Sequence, residues 1–261
     1  MDAVLRPRFW VDKEEALRYL GFSGQDIDPE LDGRIDRMIE RCQRESAPKF
    51  LTRVFLVQDG EASCVGEASR SARPAAPAAG CDPARPAAPA PAAGPVRLQG
   101  TPLQLEGADI AAHLAGARAV GVLACTLGLP NEAAYRRIAA GSTTDAALFS
   151  AAGSSLVESV ANAAEAEIVA QGAAMGLHSN WRFSPGYGDF PLSVQRQLLA
   201  ALGADRLLGM EAGPSFMITP TKSITAVIGL FDTPRSDLKK TCIHCVCQSH
   251  CTLRKVKPCY L

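Results

Sequence analysis

Apolar residues along the first 45 positions recur at helical spacing and are interrupted by turn formers. Asp12 is placed to cap a helix whose third following residue is Glu15; Leu17 and Leu20 give it an apolar stripe, and Gly21 ends it. A second amphipathic helix starts at Asp28-Pro29-Glu30, carries Leu31, Ile35, Met38, Ile39 and Cys42, and stops before Pro48. Residues 50–57, with Val54, Phe55 and Val57, then predict a strand that pairs with chain beyond residue 95. Next come a hairpin around Gly100 over 96–105, a helix over 107–114, and a buried strand over 119–125 that leaves through the turn Thr126-Leu127-Gly128.

The longest helical stretch runs over 144–175, with Leu148, Ala152, Leu156, Val160, Ala163 and Val169 as packing residues and Gly153 and Gly172 as local weak points. A loop over 176–191 follows, then a helix over 193–202 ended by Gly203, and strands over 216–219 and 224–230. Helices and strands do not alternate strictly. The pattern therefore predicts an α+β fold in which a mainly antiparallel, twisted sheet packs with helices, rather than a doubly wound sheet.

Composition divides this order into parts. Between 60 and 95 the chain turns to Ala, Pro, Gly and Ser, with Arg-Pro-Ala-Ala-Pro tracts at Arg73 and Arg85. Proline lacks an amide donor and alanine buries little area, so 60–95 is expected to be a disordered insertion. Residues 1–59 and 96–238 would form one domain around it, with 239–261 as a Cys-rich tail. Lys plus Arg and Asp plus Glu each number 27, which leaves no net field to hold a nucleic acid or an anionic membrane. The start has no export signal, and Arg118 and Arg136 flank the longest apolar segment, so a cytoplasmic protein without a membrane span is expected.

Two segments carry candidate chemistry. The loop 182–191 combines Arg182 with Ser184, Pro185, Gly186, Tyr187, Gly188 and Pro191. Prolines stiffen it, glycines admit a ligand to the backbone, and a guanidinium fork suits a carboxylate, although a Pro/Gly surface loop with an exposed salt bridge has the same composition. Upstream, Glu158, Asn162 and Glu165 share a helical face that could meet a cationic ligand or form a solvated stripe. His113 falls in an apolar helical pattern and is expected in the core; His178 is expected in a loop. The tail places Cys242, Cys245, Cys247 and Cys251 within ten residues, a spacing that suits zinc or an iron–sulfur cluster, or else leaves reduced thiols in a solvated terminus.

Arg182, Gly186 and Tyr187 make an Arg-x-x-x-Gly-Tyr motif that resembles the activation domain of cobalamin-dependent methionine synthase. Ser215-Phe216-Met217-Ile218-Thr219-Pro220 and Ser223-Ile224-Thr225 resemble later stretches of that domain. Leu17-Arg18-Tyr19-Leu20-Gly21 and Thr126-Leu127-Gly128 are similar to segments of its stand-alone relatives, as are Cys242, Cys245 and Cys251 ahead of Arg254, with Cys247 either extra or a substitute for one of them.

The resemblance implies an accessory protein that binds S-adenosylmethionine and supports reductive remethylation of a separate methionine synthase. That partner would bring the cobalamin, and an external donor would bring the electron. Arg182 would hold the ligand carboxylate, Ser184, Pro185, Gly186 and Tyr187 would surround the ligand, and Glu158 would be a ligand-facing acid. A second family acid, just before the arginine, has no counterpart in 176–181. No catalytic acid, base or nucleophile is required of this chain, because the cofactor carries the electronic step. The competing expectation is an iron–sulfur electron-transfer protein or reductase for corrinoid proteins, working through the cysteine tail. A purely structural adaptor would need neither ligand nor metal.

Overall fold

The computed structural model describes residues 9–22, 24–58 and 94–235. The cysteines Cys242, Cys245, Cys247 and Cys251 and nearly all of the Ala/Pro-rich stretch lie outside them. Helix α1 (Lys13–Tyr19) is capped by Asp12, whose Oδ1 accepts the amide of Glu15 at 3.1 Å. Helix α2 (Pro29–Arg44) is capped by Asp28, which accepts the amides of Glu30 and Leu31, and has proline in its first turn. Both caps stand where the sequence puts them.

Strand β1 (Lys49–Leu56) is followed by the hairpin β2 (Val96–Arg97) and β3 (Gln104–Leu105), and then by α3 (Ala108–His113) and β4 (Ala119–Thr126). The chain continues through α4 (Gly128–Ala139), α5 (Thr143–Ala174) and β5 (His178–Ser179). A 3-10 turn over Leu192–Val194 leads into α6 (Gln195–Leu202), which ends at Gly203 in the left-handed region, and α7 (Ala204–Leu208). The last elements are β6 (Glu211–Ala212), β7 (Ile218–Thr219) and β8 (Ser223–Phe231).

The main sheet has the order β1-β4-β8-β5, and every neighbouring pair is antiparallel. Along β4 the side chains alternate between two apolar layers. Val120, Val122 and Ala124 join Leu98, Leu105, Ile110, Phe190 and Leu198 on one side, while Ala119 and Leu123 meet Ile168 of α5 on the other. Both faces are covered, so β4 is apolar as far as Cys125 and all eight of its residues are buried. The fold is thus α+β, with helices packed on an antiparallel sheet.

Several local expectations change. The turn read at Thr126-Leu127-Gly128 is the entrance to α4: Gly128 has a φ of 76°, its amide donates to Thr126 Oγ1 at 3.0 Å, and Pro130 falls in the first turn, where no helical bond is lost. β5, α7 and β6 are too short to leave a periodic signal, and His178 lies in β5 rather than in an irregular loop. Val169 is 39% exposed and Ala163 only partly buried, because Ala164, Ile168 and Gly172 are the residues α5 turns to the sheet.

Gly172 is a site of close approach rather than of weakness: a Cβ there would come within 2.8 Å of Leu230 Cδ2. Gly121 of β4 is tighter still, since a Cβ would collide with Ile168 Cγ2. Missing side chains on both elements let α5 lie close against the sheet. Among the described residues no helix is long and apolar enough to cross a membrane.

Candidate ligand-binding site

The site begins where the chain leaves β5 and keeps running beside β8. Phe183 exchanges two backbone hydrogen bonds with Val227, each 2.9 Å, so residues around it continue the sheet edge. Adjacent side chains on such a segment point to opposite faces. Phe183 packs with His113 and Phe190 on one face, and Arg182 turns to α5 on the other.

There Arg182 Nη2 donates to Glu158 Oε2 at 3.1 Å, and its Nε faces Glu165 Oε2 at 3.2 Å. The arginine side chain is only 10% exposed. Its Nη1 is buried and has no hydrogen-bond partner. Glu158 and Glu165 therefore meet a guanidinium of their own chain, one cation against two carboxylates. Asn162, on the same helical face, lines a neighbouring cleft with Asp12, Glu15, Ser155 and Ser159.

A concavity opens over this ion cluster, lined by Glu158, Trp181, Arg182, Phe183, Ser184, Tyr187 and Ile224. Tyr187 stands at its edge, 49% exposed, with its ring edge-on to Phe183 at 6.4 Å between centroids. The turn beneath is closed by the Gly186 amide donating to Phe190 O at 2.8 Å, with Gly186 at a φ of 95°. Pro185 is buried below that turn and Gly186 presents exposed backbone. The loop thus brings Arg182, Ser184 and Tyr187 together with Glu158. The sequence places Phe183 in the loop and Ile224 in the Ser223-Ile224-Thr225 stretch without assigning either to the site, and it gives no signal for Trp181.

Negative charge extends from this cluster toward α1. Burial raises the Glu15 carboxyl above its usual range, against the opposing pull of Arg18, and Glu158 adds to the rise. The phenol of Tyr19 is pushed up to about 12 by burial first and then by Glu158 and Glu15. His113 is in the core as expected, 4% exposed, with Nε2 donating to Trp181 O at 2.9 Å. Among the described residues no group of three or more His, Cys, Asp or Glu side chains is placed to hold a metal ion.

No family model matches the chain, and no curated protein matches it in sequence. Its α+β fold is similar to that of a solved structure, the crystal structure of the MetH reactivation domain bound to AdoHcy, with a TM-score of 0.52 over 89% of this chain and 77% of that one. The two sequences are 13% identical, so the likeness is one of fold.

Proposed function

We propose that this chain binds S-adenosylmethionine in the concavity at Arg182 and serves the reductive remethylation of a cobalamin-dependent methionine synthase. The observation that carries the proposal is Arg182 Nη1, a buried charged donor without a partner beside an open concavity. Leaving such a donor unsatisfied costs about 1–3 kcal/mol, and a ligand carboxylate recovers it. A zwitterionic amino-acid end suits the donor set, with its carboxylate on Nη1 and its ammonium near Glu158. The ligand of the structural neighbour, AdoHcy, is what S-adenosylmethionine becomes after losing its methyl group.

Bound S-adenosylmethionine would supply an electrophilic sulfonium methyl to reduced cobalt on the partner's corrinoid. The chain's own residues would bind and orient: Arg182 and Glu158 hold the amino-acid end, Ser184, Pro185 and Gly186 form the backbone wall, and Tyr187 packs at the rim and keeps out water. The methionine synthase and an electron donor would come from outside. Cys242, Cys245, Cys247 and Cys251 enter the proposal by their spacing, as ligands for zinc or an iron–sulfur cluster.

Calorimetric titration with S-adenosylmethionine tests the binding. The native protein should bind, and Arg182→Ala should weaken binding by about 1.5–3 kcal/mol, the range for a charge-assisted hydrogen bond. Absence of heat and of any tryptophan fluorescence change with the native protein rejects the proposal. Anaerobic capture of a corrinoid-bearing protein by the tagged chain tests the partner.

A further inference from the structure

We infer that α3 is a clamp that holds the Arg182 loop in its binding geometry, with Asp189 and Asp109 as positioning residues at one end and His113 with Asn180 at the other. The inference rests, for its ligand readout, on the function proposed above.

Helix α3 has six residues, too few to persist by their own hydrogen bonds, and its N-cap is Gly107, which offers no side-chain cap. The cap comes from 80 residues away. Asp189 Oδ2 accepts the Ala108 amide at 2.5 Å and Asp189 Oδ1 accepts the Asp109 amide at 2.9 Å. In return, Asp109 Oδ2 accepts the Asp189 amide at 3.1 Å. The arrangement is a reciprocal capping box made between two distant segments.

Its closeness dictates the flanking residues. A Cβ on Gly107 would lie 2.7 Å from Asp189 Oδ1, and one on Gly188 would collide with Asp109 Oδ2; both glycines also have positive φ, 130° and 53°.

The other end of α3 grips the start of the loop. His113 Nε2 donates to Trp181 O, and Asn180 Nδ2 donates to His113 O, both at 2.9 Å. Asn180 Oδ1 also accepts the Gly229 amide at 2.7 Å, tying the same point to β8. Between these anchors Ile110 and Ala111 bury α3 in the core. The ten residues 180–189, Arg182 and Tyr187 among them, are thus held at both ends by one buried helix. Holding the loop before the ligand arrives removes an ordering cost from the binding step. Asp109 and Asp189 are themselves exposed, so replacing them leaves the core intact.

The test uses the full chain with Asp189→Ala and Asp189→Asn, and with Asp28→Ala as a control that removes the cap of α2 instead. S-Adenosylmethionine titration and hydrogen exchange are read together. Asp189→Ala should lower affinity about tenfold or more and raise exchange over 108–113 and 182–190 while β4 and β8 keep their protection. Asp189→Asn, which retains one oxygen acceptor, should fall between. Asp28→Ala should lower the melting temperature without changing affinity. Native affinity in Asp189→Ala, or exchange that rises evenly over the whole chain, overturns the clamp. If the native protein itself does not bind S-adenosylmethionine, the functional proposal fails, and the local exchange pattern alone decides the clamp.

Discussion

Arg182 reaches Glu158 across 24 residues of sequence, its Nη2 at 3.1 Å from Oε2, and so fastens the loop after β5 to the middle of α5. Glu165 completes the grip at 3.2 Å. The cation has two carboxylate partners and still retains an unpaired donor, so the cluster is a structural tie, and under the proposed function that donor would take the ligand carboxylate.

Arg182→Ala should therefore leave the protein folded but less stable. It strands two carboxylates that are 20% and 23% exposed, a loss of about 1–3 kcal/mol. Adding Glu158→Gln and Glu165→Gln removes the stranded charges and should restore part of the loss. Urea denaturation of the single and triple variants checks both outcomes; an undiminished midpoint in the single variant would contradict the tie.

One guanidinium against two carboxylates leaves the cluster with a net negative charge. A sulfonium ligand carries one more positive charge than its demethylated thioether, so the site should prefer S-adenosylmethionine over S-adenosylhomocysteine. Two unit charges a few ångströms apart interact by a few kcal/mol near a protein surface before salt screening. Glu165→Gln should reduce the preference by roughly fivefold, about 1 kcal/mol. Competition calorimetry with both ligands reads the ratio, and an unchanged ratio discounts the charge argument.

Residues 1–59 and 96–238 are proposed to fold as one domain around the Ala/Pro-rich insertion. The ends of the insertion are joined by pairing: Val57 bridges Leu98, and the Gln58 amide donates to Arg97 O at 2.9 Å. With the ends already held together, closing a shorter loop changes the entropy by only about 0.6 kcal/mol per halving of length. Deleting residues 68–93 should shift the melting temperature by no more than a few degrees, as read by circular dichroism.

Cys42 and Cys125 are buried, and burial pushes their thiols up to about 11 and about 12, with Ser46 and Asn131 opposing the rise at Cys42 and Arg182 opposing it at Cys125. Both should escape alkylation in the native protein at pH 8, where the reactive thiolate is absent. Because the folded values lie above the ordinary 9.0, the folded state holds these protons more tightly. Their stabilising effect is complete below pH 9 and is lost as pH rises through the folded values. Peptide mapping after iodoacetamide treatment checks the first point, and melting between pH 8 and pH 11 checks the second.

Gly121→Ala should destabilise the fold by about 1–3 kcal/mol, since the added methyl collides with Ile168 in a packed core. Pairing it with Ile168→Val should recover part of that loss. Thermal melts of the two variants report the coupling.

Elements whose signal is local were legible in the chain: the caps at Asp12 and Asp28, the apolar run of β4, the long periodic stretch of α5 and the glycine stop at Gly203. Each depends on residues a few positions apart, where hydrogen-bond geometry and side-chain period leave a direct imprint. The loop at Arg182 was conspicuous for the same reason, since its prolines, glycines and aromatic rings stand together. Contacts between distant segments leave no such imprint. Nothing near Asp189 announces that it caps a helix 80 residues earlier, and nothing near Gly121 announces Ile168. The sequence placed Glu158 and Glu165 on one helical face, but their partner depended on a sheet edge that turns Arg182 toward α5 and Phe183 away from it. Packing brought these groups together, because burying both faces of one sheet forces segments far apart in the chain to share their polar groups.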